Sequence, residues 1–417
     1  MNNWVRIQLI NELVTIFLFS PAILIFNTET IAIMKERYYS LDVFRGATVA
    51  LMILVNNPGS WAHIFDPLEH APWHGCTPTD LVFPFFLFAV GNAMAFVMPR
   101  FEEAGPAHFW KKVLKRTLLI FAIGLFLNWS PFVKWDGENL IFKIWENVRI
   151  LGVLQRIAIA YFFASVIVFY AKARGAYVIG AIILLLYWFI CLTLGNTGDP
   201  YSLSGWFGTS IDLKILGISH MYKGEGVAFD PEGLASAGPA IVQVIFGFLV
   251  GQYIQQKGKN FEMLSGLMIA GLVLVFTGYC WDMVFPINKK IWTSSYVLYT
   301  SGLGILTLSS LIYLIEFKSV KGVWSKFFDV FGKNPLFIFV LSGFLPRILA
   351  LLRWVDHIDG TTGKKVYTSA FPWFYENVCK NIATDLRVGS LLYALITIAF
   401  YWSIVYVLDK KKIYIKV

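Results

Sequence analysis

The 417 residues are 57% hydrophobic and only 15% charged, with a mean hydropathy of +0.63, which excludes an ordinary water-soluble domain. The net charge of +9 does not call for nucleic acid as a partner, because the Lys and Arg excess that orients membrane proteins accounts for it. Four cysteines form no CxxC and no Cys/His pair at zinc-ligand spacing, so no metal is expected; a Cys76–Cys379 bridge is left open.

Residues 1–33 fit a span poorly. The apolar run from Leu13 to Phe26 is short, contains Pro21 and ends in polar Asn27–Thr30. This segment is read either as an extension upstream of a start at Met34 or as an extra, eleventh helix. Beyond it, residues 34–417 read as one all-α polytopic membrane domain. Apolar runs place about ten transmembrane helices near 41–57, 79–98, 113–130, 149–170, 176–194, 237–256, 262–282, 292–315, 334–352 and 389–408. With the segment before 41 in the cytoplasm, seventeen Lys and Arg fall on compact cytoplasmic segments and twelve on the much longer opposite loops. Both ends of the ten-helix unit are then cytoplasmic, in a plasma or bacterial inner membrane. Loops 58–78, 131–148, 195–236 and 353–388 face outward, where binding and catalytic groups are expected.

Ionisable side chains in or beside the hydrocarbon layer are costly and therefore candidates. Asp42 and Arg45, three apart at the start of the first span, suit an interfacial ion pair or an Arg45 contact to phosphate from the cytoplasm. Gln155 and Arg156 sit between Leu154 and Ile157 inside a span and are read as inward-facing. Asp80 opens the second span, as a helix cap or as a site carboxylate. Glu232, before the sixth span, lines a site mouth or is a solvated loop group.

The segment Val55-Asn56-Asn57-Pro58 to Leu68-Glu69-His70-Ala71-Pro72-Trp73-His74-Gly75-Cys76 contains no Lys or Arg and is dense in Trp, His, Pro and Gly. Such a loop is stiff and aromatic-walled, and suits a sugar ring. His70 or His74 in it is either structural or a group that moves a proton or an acyl group near neutral pH.

Seven ordered segments, Ser40-Leu41-Asp42-Val43-Phe44-Arg45-Gly46, Val55-Asn56-Asn57, His70-Ala71-Pro72-Trp73-His74-Gly75, Asp80-Leu81-Val82-Phe83-Pro84, Val153-Leu154-Gln155-Arg156, Asp230-Pro231-Glu232-Gly233 and Asn288-Lys289-Lys290-Ile291-Trp292, resemble the heparan-α-glucosaminide N-acetyltransferase family and its bacterial relatives. The resemblance covers nearly all of 37–417. It implies transfer of acetyl from cytoplasmic acetyl-CoA to the amine of a terminal glucosamine across the membrane, with His70 and Asn56 at the positions of the catalytic histidine and asparagine, and a homodimer. His74 stands where the animal enzyme has Asn, which argues against His74 as the essential residue. The luminal domain that precedes the animal enzyme's membrane unit is not in this sequence, which argues against heparan itself as acceptor.

The expectation is therefore an acetyl-CoA-dependent acyltransferase acting on an amino sugar at the outer face. His70 is base or acyl carrier and Asn56 the oxyanion donor. Arg45, Gln155 and Arg156 are placed on the CoA side, because a diphosphate suits Arg forks, and Glu69, Asp80 and Glu232 on the sugar side. The rivals are an amino-sugar transporter and an acyltransferase for another envelope glycan.

Overall fold

A computed structural model describes residues 38–415. The reading of residues 1–33 lies outside the described residues. The chain forms α1 (Tyr39–Asn56), α2 (Val82–Ala104), α3 (Pro106–Trp129), α4 (Val153–Leu194), α5 (Gly208–Leu216), α6 (Ala237–Lys257), α7 (Phe261–Asp282), α8 (Ser294–Ile312), α9 (Val323–Lys333), α10 (Pro335–Leu349), α11 (Ala370–Phe374) and α12 (Leu386–Lys410). Two small antiparallel hairpins, β1–β2 (Val133–Asp136, Asn139–Phe142) and β3–β4 (Trp354–Ile358, Lys365–Thr368), stand in the loops after α3 and α10.

Seven described helices are long and apolar enough to cross a membrane, and the α9–α10 pair makes an eighth if its 80° bend is one broken span. The difference between seven and ten has three sources. At about 1.5 Å per residue, the 42 residues of α4 would run about 63 Å, twice a hydrocarbon core of about 30 Å. Its backbone leaves the helix at Lys172, with φ of 57°, so the expected segments 149–170 and 176–194 are its two arms. In α3, Lys111, Lys112, Lys115 and Arg116 crowd the first half of a 24-residue helix and lower its apolar content. The bend between α9 and α10 falls where Pro335, which lacks an N–H and restricts Asn334, opens the second helix.

α6 is the most enclosed span and is apolar all round, as a bundle-centre helix must be. It packs between α2 and α4. There, a Cβ on Gly91 would collide with the Val244 carbonyl, and one on Gly247 with the Phe88 carbonyl, so both glycines are needed for the two backbones to touch. Leu118, Leu186, Phe189, Leu272, Phe276 and Phe400 point outward, an apolar surface that fits lipid. At one end of the bundle, Lys326 and Lys333 each bond Asp329 of α9 and Asp409 of α12, at 2.8–3.3 Å, and tie the last helix to α9. All four cysteines are free, so the Cys76–Cys379 bridge does not form.

Candidate functional site

The loop from Asn56 to Leu81 is built around Asp80. Pro78 starts a 3-10 turn, Pro78–Leu81, and the buried Asp80 side chain turns back over it. Its Oδ2 accepts from the N–H groups of Ala71 (3.0 Å) and Thr77 (3.1 Å) and from the Thr77 hydroxyl (3.1 Å). Oδ1 meets His70 Nδ1 at 2.7 Å and Lys289 Nζ at 3.2 Å. The Asp80 carbonyl in turn accepts from the Tyr296 hydroxyl at 2.6 Å, which anchors the turn to α8.

The second wall is the connection from α7 to α8. Gly75 donates its N–H to the Ile287 carbonyl at 2.7 Å, docking the His70 loop against it. The buried Asn288 side chain accepts from Ile291 N–H at 3.0 Å and lies 3.3 Å from His74 Nδ1, which curls the segment so that Lys289 faces His70 at 3.1 Å. Burial pushes the Lys289 ammonium below the ordinary lysine range, against the pull of Asp80. Lys290 points to the other side, onto the Pro72 carbonyl at 2.8 Å and Glu225 at 2.7 Å.

The third wall is the loop 230–236. Arg149 pairs with Asp230 at 2.5 Å and with Glu232. Burial opposes the Glu232 charge, but Arg149 and Arg156 outweigh it and hold the carboxyl below its ordinary range. Arg156 is fully enclosed. Its guanidinium donates to the carbonyls of Pro231 (3.1 Å), Gly233 (2.7 Å) and Ser236 (2.9 Å), and lies over the Trp292 ring at 5.5 Å.

The three walls enclose a cavity of about 140 Å³. His70, Asn56, Lys289 and Glu232 line its polar part; Met52, Phe83, Phe86, Ile157 and Phe339 line an apolar part that reaches down among α1, α2, α4 and α10. Asp80 stands behind His70. Of the residues singled out from the sequence, His70, Asn56, Asp80 and Glu232 are thus brought together. Glu69 is exposed outside the cavity, with its carbonyl on the Thr77 hydroxyl at 2.6 Å. Gln155 donates to the Ile150 carbonyl at 2.8 Å, and both it and Arg156 serve the walls rather than the cavity. Arg45 is eleven residues before Asn56 on α1, about 16 Å away along the axis. There it bonds Asp42 at 2.6 Å and the Gly332 carbonyl at 2.7 Å.

Lys289 is the group that sequence reading missed. Its signal was present, a paired lysine in the middle of an apolar stretch beside Asn288 and Trp292, but nothing local told which of Lys289 and Lys290 turns inward.

Chemically, a carboxylate on Nδ1 leaves the Nε2 of His70 as the free face of the ring. We assign the Nδ1 proton to the 2.7 Å Asp80 contact as the shorter of the two at that nitrogen. Nε2 then carries a lone pair able to take a proton or an acyl group. Cys76, the one thiol in this loop, is pushed up to about 12 by burial and the nearby Asp80, so it is not a ready nucleophile.

Comparison with known proteins gives a consistent picture. Residues 37–219 match the family described as heparan-alpha-glucosaminide N-acetyltransferase, catalytic. The heparan-alpha-glucosaminide N-acetyltransferases of Homo sapiens and Mus musculus are each 26% identical to the chain over 94% of its length. The chain spans 61% and 62% of the length of those two relatives.

Proposed function

We propose, from the match of residues 37–219 to the heparan-alpha-glucosaminide N-acetyltransferase catalytic family and the 26% identity along 94% of the chain, that this protein is a transmembrane N-acetyltransferase of that family. It moves acetyl from cytoplasmic acetyl-CoA to the amine of a glucosamine-type sugar at the outer face of the membrane. The observation that carries this reading is the Asp80–His70 pair at the polar end of a cavity whose remaining wall is apolar and descends between helices. An amino sugar suits the polar end; an acetyl thioester arm suits the apolar one.

In the reaction, His70 Nε2 takes a proton from the attacking amine while the nitrogen forms its bond to the acetyl carbonyl carbon. Asp80 holds the ring and faces the imidazolium that results. The Asn56 side chain donates to the developing oxyanion. The C–S bond then breaks, and CoA leaves as thiolate and recovers the proton from His70. The alternative order, with the acetyl group resting on Nε2 between the two substrates, uses the same atoms. Glu232, which lines the cavity, meets the sugar in this reading. Arg45, in the N-terminal half of α1, is kept as a contact for the CoA diphosphate, while Gln155 and Arg156 act through the walls that they hold.

The test is acetyl transfer from acetyl-CoA to glucosamine by the purified protein. His70→Ala is expected to lower kcat by about 10²- to 10⁴-fold; undiminished turnover in that variant removes His70 from the mechanism. A peptide containing His70 that gains an acetyl group in the absence of acceptor selects the two-step order.

A further inference from the structure

Burying an ammonium costs several kcal/mol unless an anion answers it, and the anion beside Lys289 is Asp80, 3.2 Å away and itself almost wholly enclosed. The other charged groups around His70 are already committed or exposed. Glu232 is held by Arg149, with Arg156 behind it. Glu225 is held by Lys290, Glu69 is exposed, and burial keeps the Cys76 thiol neutral. The local balance at the imidazole therefore rests first on Asp80 and Lys289, with Glu232 adding a lesser pull on the ammonium.

A carboxylate and an imidazole by themselves favour a carboxylate–imidazolium pair, in which the base is already protonated. An ammonium on the same carboxylate oxygen removes that preference. Its three N–H groups are all donors, so Lys289 can share Oδ1 with the imidazole N–H but offers that N–H no acceptor, which leaves Asp80 as the partner of the Nδ1 proton.

Resting on the acetyltransferase reading, we propose that Lys289 is a positioning residue for His70. By neutralising Asp80 it lets the imidazole stay uncharged, with Nδ1–H on Asp80 and the Nε2 lone pair open to the cavity. Lys289 thus sets the protonation state in which His70 meets the acceptor amine, and Asp80 sets its orientation.

Carbethoxylation by diethyl pyrocarbonate, which reacts with neutral imidazole, reads this directly in the full-length protein in detergent. Labelling of the His70 peptide is followed by mass spectrometry across the pH range in which histidine titrates, with the exposed His108 as internal reference. The limiting rate at high pH reports access to the ring, and the midpoint reports its charge. Lys289→Met is expected to raise the His70 midpoint by about one pH unit, a tenfold loss of labelling well below it, with His108 unchanged. Lys289→Arg keeps the cation and the wild-type midpoint. Asp80→Asn leaves the ammonium unanswered and lowers the midpoint, and the double variant Asp80→Asn/Lys289→Met returns it toward the wild-type value. An unchanged midpoint in Lys289→Met, or in Asp80→Asn should the Met variant not stay folded, overturns the proposal. So does an Arg variant that shifts as far as the Met variant. Labelling needs no acetyl-CoA, so wild-type protein that transfers no acetyl group would defeat the functional reading and leave the role of Lys289 to be judged separately. Where transfer occurs, Lys289→Met should lower kcat at neutral pH and leave the KM for the acceptor near its wild-type value.

Discussion

Asp80 gives one oxygen to architecture and the other to chemistry. Oδ2 collects three donors that shape the loop, and Oδ1 addresses His70 and Lys289. Asp80→Asn keeps the shape of the side chain but presents an amide where a carboxylate held the ring. Turnover is expected to fall by about 10²- to 10⁴-fold, in an acetyl-transfer assay where a loss under tenfold would sink the assigned role. Arg156 acts otherwise, because its donors fix backbone carbonyls of the 231–236 loop inside the bundle. Arg156→Leu removes a charged donor from each of those carbonyls, of which Gly233 keeps only the 3.4 Å bond from the Ser236 hydroxyl; at about 1–3 kcal/mol for each carbonyl left unsatisfied, a large drop in Tm in detergent is expected, whatever happens to CoA binding. A variant with wild-type Tm would show that the loop does not depend on it.

Asp212 offers a pH prediction at the same scale. It is fully buried on α5 and accepts from the N–H of Leu234 (2.8 Å) and Ala235 (3.3 Å), while its Oδ2 lies against Gly233 without a hydrogen-bond partner. Burial raises this carboxyl to about 6, in spite of those two bonds. The folded protein therefore binds a proton between about pH 4 and 6 that the unfolded chain does not, and this contribution to stability is lost as pH rises through that window. Asp212→Asn keeps an acceptor oxygen and abolishes the titration. Its Tm is expected to vary less with pH over that window than the wild-type Tm; parallel curves would refute the assignment.

Among the elements, α6 with its partners decides whether the bundle closes. Where the Gly91 and Gly247 backbones meet the carbonyls of Val244 and Phe88, any side chain must push α2 and α6 apart. Gly91→Val is expected to cost several kcal/mol, beyond the roughly 1–3 kcal/mol of ordinary overpacking, and to abolish recovery of monodisperse protein by size exclusion. A well-behaved, active Gly91→Val would mean that the helices have room to separate. The broken pair α9–α10 belongs to this scale too: its 80° bend brings Phe339 to the cavity wall, while α9 stays ion-paired to α12 at the far end.

For the whole molecule, the claim to test is topology. With the native cysteines replaced, a cysteine at Lys364 between β3 and β4 should react with a membrane-impermeant maleimide on intact cells. One at Lys112 on α3 should react only after permeabilisation. Labelling of Lys112→Cys from outside would invert the orientation and place the His70 loop in the cytoplasm.

Hydropathy and charge are local properties of a chain, and they sufficed to mark a helical membrane protein, most span positions and the aromatic loop, free of Lys and Arg, that carries His70. The ordered motifs drew attention to Asn56, Asp80 and Glu232, which the fold gathers around His70. What no local pattern contained was the meeting of residues far apart in the chain: Lys289 reaches His70 across 219 residues, and Arg156 reaches Ser236 across 80. A lysine in a loop reads as solvated and an arginine in a span reads as a ligand until their partners are seen, because the cost of burying a charge is set by what surrounds it in three dimensions. The helices were legible from composition. The charge balance at His70 was decided only when the packing of α2, α4, α6 and α8 brought three distant loops together.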